Sequence, residues 1–202
     1  MGFNGIAKYY SNLSRFVFGS TLETAKVALF NKIPEHAKVL IIGGGSGVSL
    51  KHLLSANSSI EVDFVESSFE MIKLAKTEIG NDKRANFICK TIETFDGAGY
   101  DVIITEFFFD LFKKQKIENL VSTIALKLNI NGCWIDTDFR ITKLGYHGLV
   151  LKAMYMFFKI IAQIEVGKLV EFIPVMKEAN FKLKKRIVFK RGLIASCLFV
   201  RS

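Results

Sequence analysis

Cysteine, proline and acidic residues are all scarce in this chain, and each shortage narrows what it can be. The three cysteines, Cys89, Cys133 and Cys197, lie far apart with no CxxC pair and no histidine at a ligand spacing, so neither a disulfide framework nor a zinc site is written into the sequence. Each falls in an apolar, strand-like segment, which predicts reduced core residues in a cytoplasmic protein. Only two prolines occur, Pro34 and Pro174, and neither sits in a linker. With no repeat and no low-complexity tract either, the 202 residues read as a single domain. No window reaches about 18 uninterrupted apolar residues, and the opening MGFNGIAKYYSNLSRF lacks the basic start and apolar stretch of a signal peptide. The Met-Gly start is no acylation signal, because Ile6 stands where that motif needs Ser or Thr.

The acids number 19 against 28 Lys and Arg, leaving a formal charge of +9. Such an excess favours anionic partners: nucleic acid, an acidic membrane surface or a charged substrate. Much of it is concentrated in Lys182, Lys184, Lys185, Arg186, Lys190 and Arg191, a run that reads first as the solvated face of an edge hairpin. Half of the residues are hydrophobic, enough to bury a substantial core.

What is abundant is alternation. Apolar positions at helical spacing between residues 5 and 32 (Leu13, Phe16, Val17, Leu22, Ala25, Val27, Leu29) predict one or two helices, an N-terminal cap over residues 1–34. From Lys38 onward strands and helices take turns. Strands are predicted at 39–42, 60–65, 86–89, 101–105 and 133–139, with helices at 46–55, 69–79 and 117–128 and a turn at Asn131-Gly132. The last two strand-like stretches, 181–189 and 193–200, are joined only by Lys190-Arg191-Gly192, too short for a parallel crossover. The expected fold is therefore α/β and Rossmann-like: a seven-stranded, mostly parallel sheet with a C-terminal antiparallel hairpin and helices on both faces.

One turn carries chemistry. Val39–Ile42 runs into Gly43-Gly44-Gly45-Ser46-Gly47 and then into a helix, an arrangement in which a bare backbone admits a ligand to the helix N-terminus. The next acid at a strand end is Glu66, about twenty residues on, where a carboxylate accepts hydrogen bonds from ribose hydroxyls. Turn and acid together point to an adenosine-type cofactor. The dinucleotide fingerprint G-x-G-x-x-G is broken by Val48, whereas S-adenosylmethionine (SAM) has no pyrophosphate to cradle and suits G-x-G-x-G. An NAD-dependent reductase is thus the disfavoured alternative.

VLIIGGGSG, the FVES acid, YDVIITEFFFDLF and the closing hairpin resemble the class I SAM-dependent methyltransferases from about Tyr9 to the C-terminus. Within that class the opening YYSNLSRFVFG and the order of segments resemble the branch of the ubiquinone/menaquinone and phosphatidylethanolamine methyltransferases. The resemblance implies that Gly43, Gly44, Gly45 and Gly47 line the methionine and ribose parts of SAM, that Glu66 holds both ribose hydroxyls, and that Ser67 and Ser68 lie beside the adenine. Where the family often has an Asp facing the adenine amine this chain has Thr91, and either Thr91 or Glu93 takes that place. Where it often has a glycine before the penultimate strand, Asn180 stands, a residue able to adopt a left-handed turn.

Other candidates keep two readings each. Glu106, after the fourth strand, is either the residue nearest the methionine end and the substrate or a helix-start acid favoured by the dipole. Asp110 is a substrate contact or the N-cap of the next helix, the cap being slightly favoured. Tyr9 and Tyr10 either fold over the cofactor or are core aromatics. His147 is a general base or an incidental loop residue. The nearly apolar stretch 149–161, inside an expected helical insertion at 140–170, is a core or dimer helix, or else a wall for a lipophilic substrate or a membrane-surface contact. No NPPY-like tetrapeptide follows the fourth strand, where ITEFFF stands. The expected acceptor is therefore a small apolar or amphipathic molecule, nucleic acid is not expected, and a non-catalytic SAM-binding protein is the rival from another class.

Overall fold

The computed structural model describes residues 20–140 and 170–202. Tyr9, Tyr10, His147, the apolar stretch 149–161 and most of the expected cap and insertion lie outside the described residues. Within them the chain order is α1 (Thr21–Val27), a 3-10 turn (Phe30–Lys32), β1 (Lys38–Ile42), α2 (Val48–Ala56), β2 (Glu61–Val65), α3 (Phe69–Ile79) and β3 (Ala85–Ile88). β4 (Tyr100–Glu106), a 3-10 turn (Phe109–Leu111), α4 (Lys114–Ala125), β5 (Leu128–Phe139), α5 (Phe172–Glu178), β6 (Phe181–Phe189) and β7 (Ile194–Arg201) follow.

The strands form one seven-stranded sheet in the order β3-β2-β1-β4-β5-β7-β6. All pairs from β3 to β5 are parallel, while β7 runs antiparallel to both β5 and β6. The expected sheet and its final hairpin are both present. β1 is the register centre, with Ile41 opposite Phe64 on one side and Ile104 on the other. Its KVLII sequence suits a strand covered on both faces. Leu40 and Ile42 face a core closed by Ile117, Leu120, Val121 and Ile124 of α4 and Phe172, Val175 and Met176 of α5. Val39 and Ile41 face the opposite core, with Leu50, Leu53 and Leu54 of α2, Ile72 and Ala75 of α3, and Leu29 and Phe30 of the N-terminal region.

Two expectations fail here for clear reasons. Asn131-Gly132 makes no turn, because β5 runs without a break from Leu128. The irregularity is absorbed as a register shift against β4, where Tyr100 pairs Leu128 but Val102 pairs Cys133. Cys89 is exposed rather than in the core, since β3 is a short edge strand ending at Ile88. Cys133 is half-buried and Cys197 buried, and all three are free. Asn180 does take up the left-handed conformation (φ 64°) that the sequence pattern asked of it.

Because the chain leaves β1 toward β2 and β3 and then returns to β4 on the opposite side, the order reverses between β1 and β4. Open α/β sheets bind their ligands at such a switch, outside the carboxyl ends of the strands.

Candidate functional site

The carboxyl end of β1 opens into the glycine turn, and the parallel ladder continues past the last residue of the strand. The Gly43 N–H donates to the Val65 carbonyl (2.9 Å) and the Glu66 N–H to the Ile88 carbonyl (3.1 Å). That continuation sets Glu66 beside the turn. The Gly45 N–H donates to Glu66 Oε2 at 3.2 Å and the Ser68 N–H to Oε1 at 2.9 Å, so the half-buried carboxylate is oriented from two sides.

The glycines differ in what they do. Gly45 has φ +61° and, among the described residues, no atom within 4 Å of the place a Cβ would take, leaving a bare, open stretch of backbone next to Glu66. Gly47 has φ +82°, and a Cβ there would lie 2.9 Å from Ala75 Cβ and 3.0 Å from its Cα. Its smallness is what lets α2 approach α3. A Cβ at Gly44 would meet the Phe64 ring at 2.3 Å, and one at Gly43 the Phe108 ring at 2.8 Å.

Ser68 caps α3, its hydroxyl accepting from the Met71 N–H. Ser67 is exposed, with its hydroxyl 3.5 Å from Glu66 Oε1. Thr91 lies exposed beyond β3, its hydroxyl 3.2 Å from that of Thr94. Glu93 is paired with Lys116, and its carboxylate also draws on the Thr91 side chain.

On the other side of the switch, Glu106 is the last residue of β4 and starts no helix. Its side chain is sealed from solvent. Oε2 accepts from the Ser49 hydroxyl in the first turn of α2 (2.6 Å) and pairs with Lys26 of α1 (3.2 Å). Oε1 is buried with no partner among the described residues. A sealed carboxylate oxygen with nothing to accept from is a costly arrangement, and it lies beside the helix that the glycine turn opens. Phe107 follows with φ +50°, and then Phe108 lays its ring on Gly43.

Asp110 is not the N-cap of α4. That position belongs to Lys113, with no side-chain capping bond, and Asp110 belongs to the preceding 3-10 turn. Its Oδ1 is buried without a partner among the described residues. Burial, and then the neighbouring carboxylates of Asp138 and Asp136, push its pKa well above the usual carboxylate range.

These neighbours belong to a group that sequence reasoning missed. Trp134, Asp136, Asp138 and Arg140 alternate along one face of β5 and its end. Asp136 pairs with Arg140 and accepts from the Thr105 hydroxyl at 2.8 Å; Thr105 in turn accepts from Trp134 Nε1 at 2.9 Å. Asp138 Oδ2 accepts the N–H groups of Phe109 (3.0 Å) and Asp110 (3.1 Å), and Oδ1 that of Phe139 (2.7 Å). The available signal was the two-residue period of WIDTDFR, which puts two acids and a base on one face of a strand otherwise apolar.

The site can now be set beside known proteins. Residues 40–134 match the model of a family described as a methyltransferase domain. The malonyl-[acyl-carrier protein] O-methyltransferase 2 of Ilyobacter polytropus is 30% identical over 93 residues, 45% of this chain and 36% of the relative. The polyamine aminopropyltransferase of Prochlorococcus marinus is 34% identical over 104 residues, 46% of this chain and 35% of that protein. The chain thus spans about a third of the length of these curated relatives. The Burkholderia thailandensis 1,6-didemethyltoxoflavin-N1-methyltransferase, solved with bound 1,6-didemethyltoxoflavin and S-adenosylhomocysteine, superposes with a TM-score of 0.71 at 16% identity, covering 98% of this chain and 85% of its own. The chain has the class I methyltransferase fold. The matched span runs from within β1 to within β5, so it holds the glycine turn, Glu66 and Glu106 together.

Proposed function

We propose that this chain is a SAM-dependent methyltransferase acting on a small apolar or amphipathic acceptor. The observation that carries the reading is the Gly45–Glu66 contact across the ends of β1 and β2: an open, side-chain-free turn bonded to an oriented carboxylate. The residues fit the cofactor. Gly43, Gly44, Gly45 and Gly47 offer close backbone approach, Glu66 has lone pairs for ribose hydroxyls, Ser67 and Thr91 flank the adenine side, and Glu106 stands at the methionine end. Tyr10 is proposed to complete the site from the N-terminal segment. Bound SAM supplies a methyl group on a sulfonium centre, already a good leaving group. The chain's own task is then to align the acceptor and exclude water, for which Phe107, Phe108 and Phe112 provide an apolar wall.

Glu106, Asp110 and His147 are the candidates for holding or taking an acceptor proton. Asp110 suits this because its carboxyl binds a proton more tightly than usual. Among the described residues no helix is long and apolar enough to cross a membrane. Apolar acceptors, the quinone and phospholipid branch among them, fit the aromatic segment after β4.

Isothermal calorimetry with SAM and S-adenosylhomocysteine tests the reading. One site per chain is expected. Glu66→Ala should weaken binding roughly 10- to 100-fold, the scale of one or two charge-assisted hydrogen bonds. Absence of binding to the wild type would end the proposal. Binding without methyl incorporation into any acceptor would leave a non-catalytic SAM-binding protein instead.

A further inference from the structure

The turn after β4 is bent in a way its sequence does not favour. Phe107 has φ +50°, a left-handed backbone that a bulky residue adopts only when its surroundings force it. The forcing comes from β5. The Phe107 N–H donates to the Thr137 carbonyl at 2.7 Å, which extends the β4–β5 ladder by one bond. Two residues later Asp138 Oδ2 takes both the Phe109 and the Asp110 N–H. Phe108 lies between these anchor points, and its ring occupies the space beside Gly43.

We infer that Asp138 is a positioning residue of the cofactor site: by binding the main chain of Phe109 and Asp110 it holds the strained turn after β4 in the shape that lays Phe108 against Gly43. The inference rests on the cofactor reading above. Asp138 touches neither glycine turn nor Glu66, so its effect passes through the backbone of residues 107–110. A carboxylate suits the task because one of its oxygens accepts two N–H groups while the other accepts that of Phe139. The ladder bond alone fixes only one end of the turn, and backbone strain persists only where both ends are determined. The same latch fixes the backbone of the half-buried Asp110, so one contact sets both the cofactor wall and a candidate proton-accepting group.

The test measures S-adenosylhomocysteine affinity and melting temperature together for wild type, Asp138→Ala, Asp138→Asn, Thr105→Val and Phe108→Ala. Asp138→Ala should bind roughly tenfold more weakly, the scale of one or two hydrogen bonds lost, with one site per folded chain. Asp138→Asn retains an oxygen for the Phe109 and Asp110 N–H groups and should stay within about threefold of wild type. Thr105→Val breaks a hydrogen bond of the same buried stripe without touching the turn. It should lower the melting temperature and leave affinity unchanged. Wild-type affinity in Asp138→Ala overturns the inference, and so does loss of affinity in Thr105→Val equal to that in Asp138→Ala. If Asp138→Ala does not fold, Phe108→Ala decides, since it removes the ring from Gly43 and leaves the latch intact: weakened binding supports the inference and wild-type binding overturns it. A wild type that fails to bind defeats the cofactor reading itself, an outcome visible before any variant is made.

Discussion

Gly45 and Gly47 share a left-handed backbone and have opposite surroundings, and this separates binding from stability at the level of single residues. A methyl at Gly45 meets no atom within 4 Å, so Gly45→Ala bears only the conformational penalty of about 1–2 kcal/mol. Its methyl nonetheless enters the open space beside Glu66, and the expected result is a modest loss in urea denaturation with a clear loss of S-adenosylhomocysteine affinity. Gly47→Ala has the same backbone penalty and adds a methyl 3.0 Å from the Ala75 Cα. Pushing α2 away from α3 should bring the total to about 2–5 kcal/mol. If Gly47→Ala proved less destabilising than Gly45→Ala, the close approach of the two helices would not be what that glycine serves.

Among the elements, β5 differs in carrying its polarity inside. Burial first, and then the Asp136 carboxylate, push the Asp138 pKa up to about 7, against the opposing pull of Arg140 and the main-chain N–H groups. The unfolded value is about 3.9. Between about pH 4 and pH 7 the folded chain therefore holds a proton that the unfolded chain has released, and this contribution to stability declines as pH rises through that window. Asp138→Asn cannot titrate, so its stability should fall less steeply than that of the wild type between those limits in denaturant titrations. Parallel curves for the two would mean that Asp138 is ionised throughout. The elements themselves were legible in the sequence wherever a repeating pattern or a glycine bounded them. α3 falls on the predicted residues, β1 and β2 start within one residue of theirs, and Glu66 stands at the predicted strand end beside the turn. What was not legible depended on neighbours. Asn131-Gly132 has turn chemistry, yet pairing with β4 and β7 carries β5 straight through it. Asp110 looks like a cap by its position before a helix, but Asp138 draws its backbone into a separate turn one strand away. Cys89 reads as core from its apolar flanks and is exposed because β3 stops one residue earlier.

On the scale of the whole molecule the charge is strongly one-sided. Residues 181–202 hold seven of the 28 Lys and Arg and no Asp or Glu. Among the described residues β6 is the sheet's outer strand on that side, paired only with β7, and its residues 182–186 are exposed. An exposed strand edge presents free N–H and C=O groups to any second chain, and lysines and bulges are the common means of blocking such pairing. Both are present here: Lys184, Lys185 and Arg186 are three consecutive cations, and a register shift falls between Leu183 and Lys185. Leu183 and Val188, both well exposed, would supply the apolar contact once the charge was gone. Replacing Lys184 and Lys185 by valine should therefore leave the chain's fold and cofactor affinity intact while promoting concentration-dependent self-association, read by light scattering and reduced by adding back a single lysine at 184. A double variant as monodisperse as the wild type at equal concentration would show that the bulge alone protects the edge, and that the cations of the hairpin are there for something else.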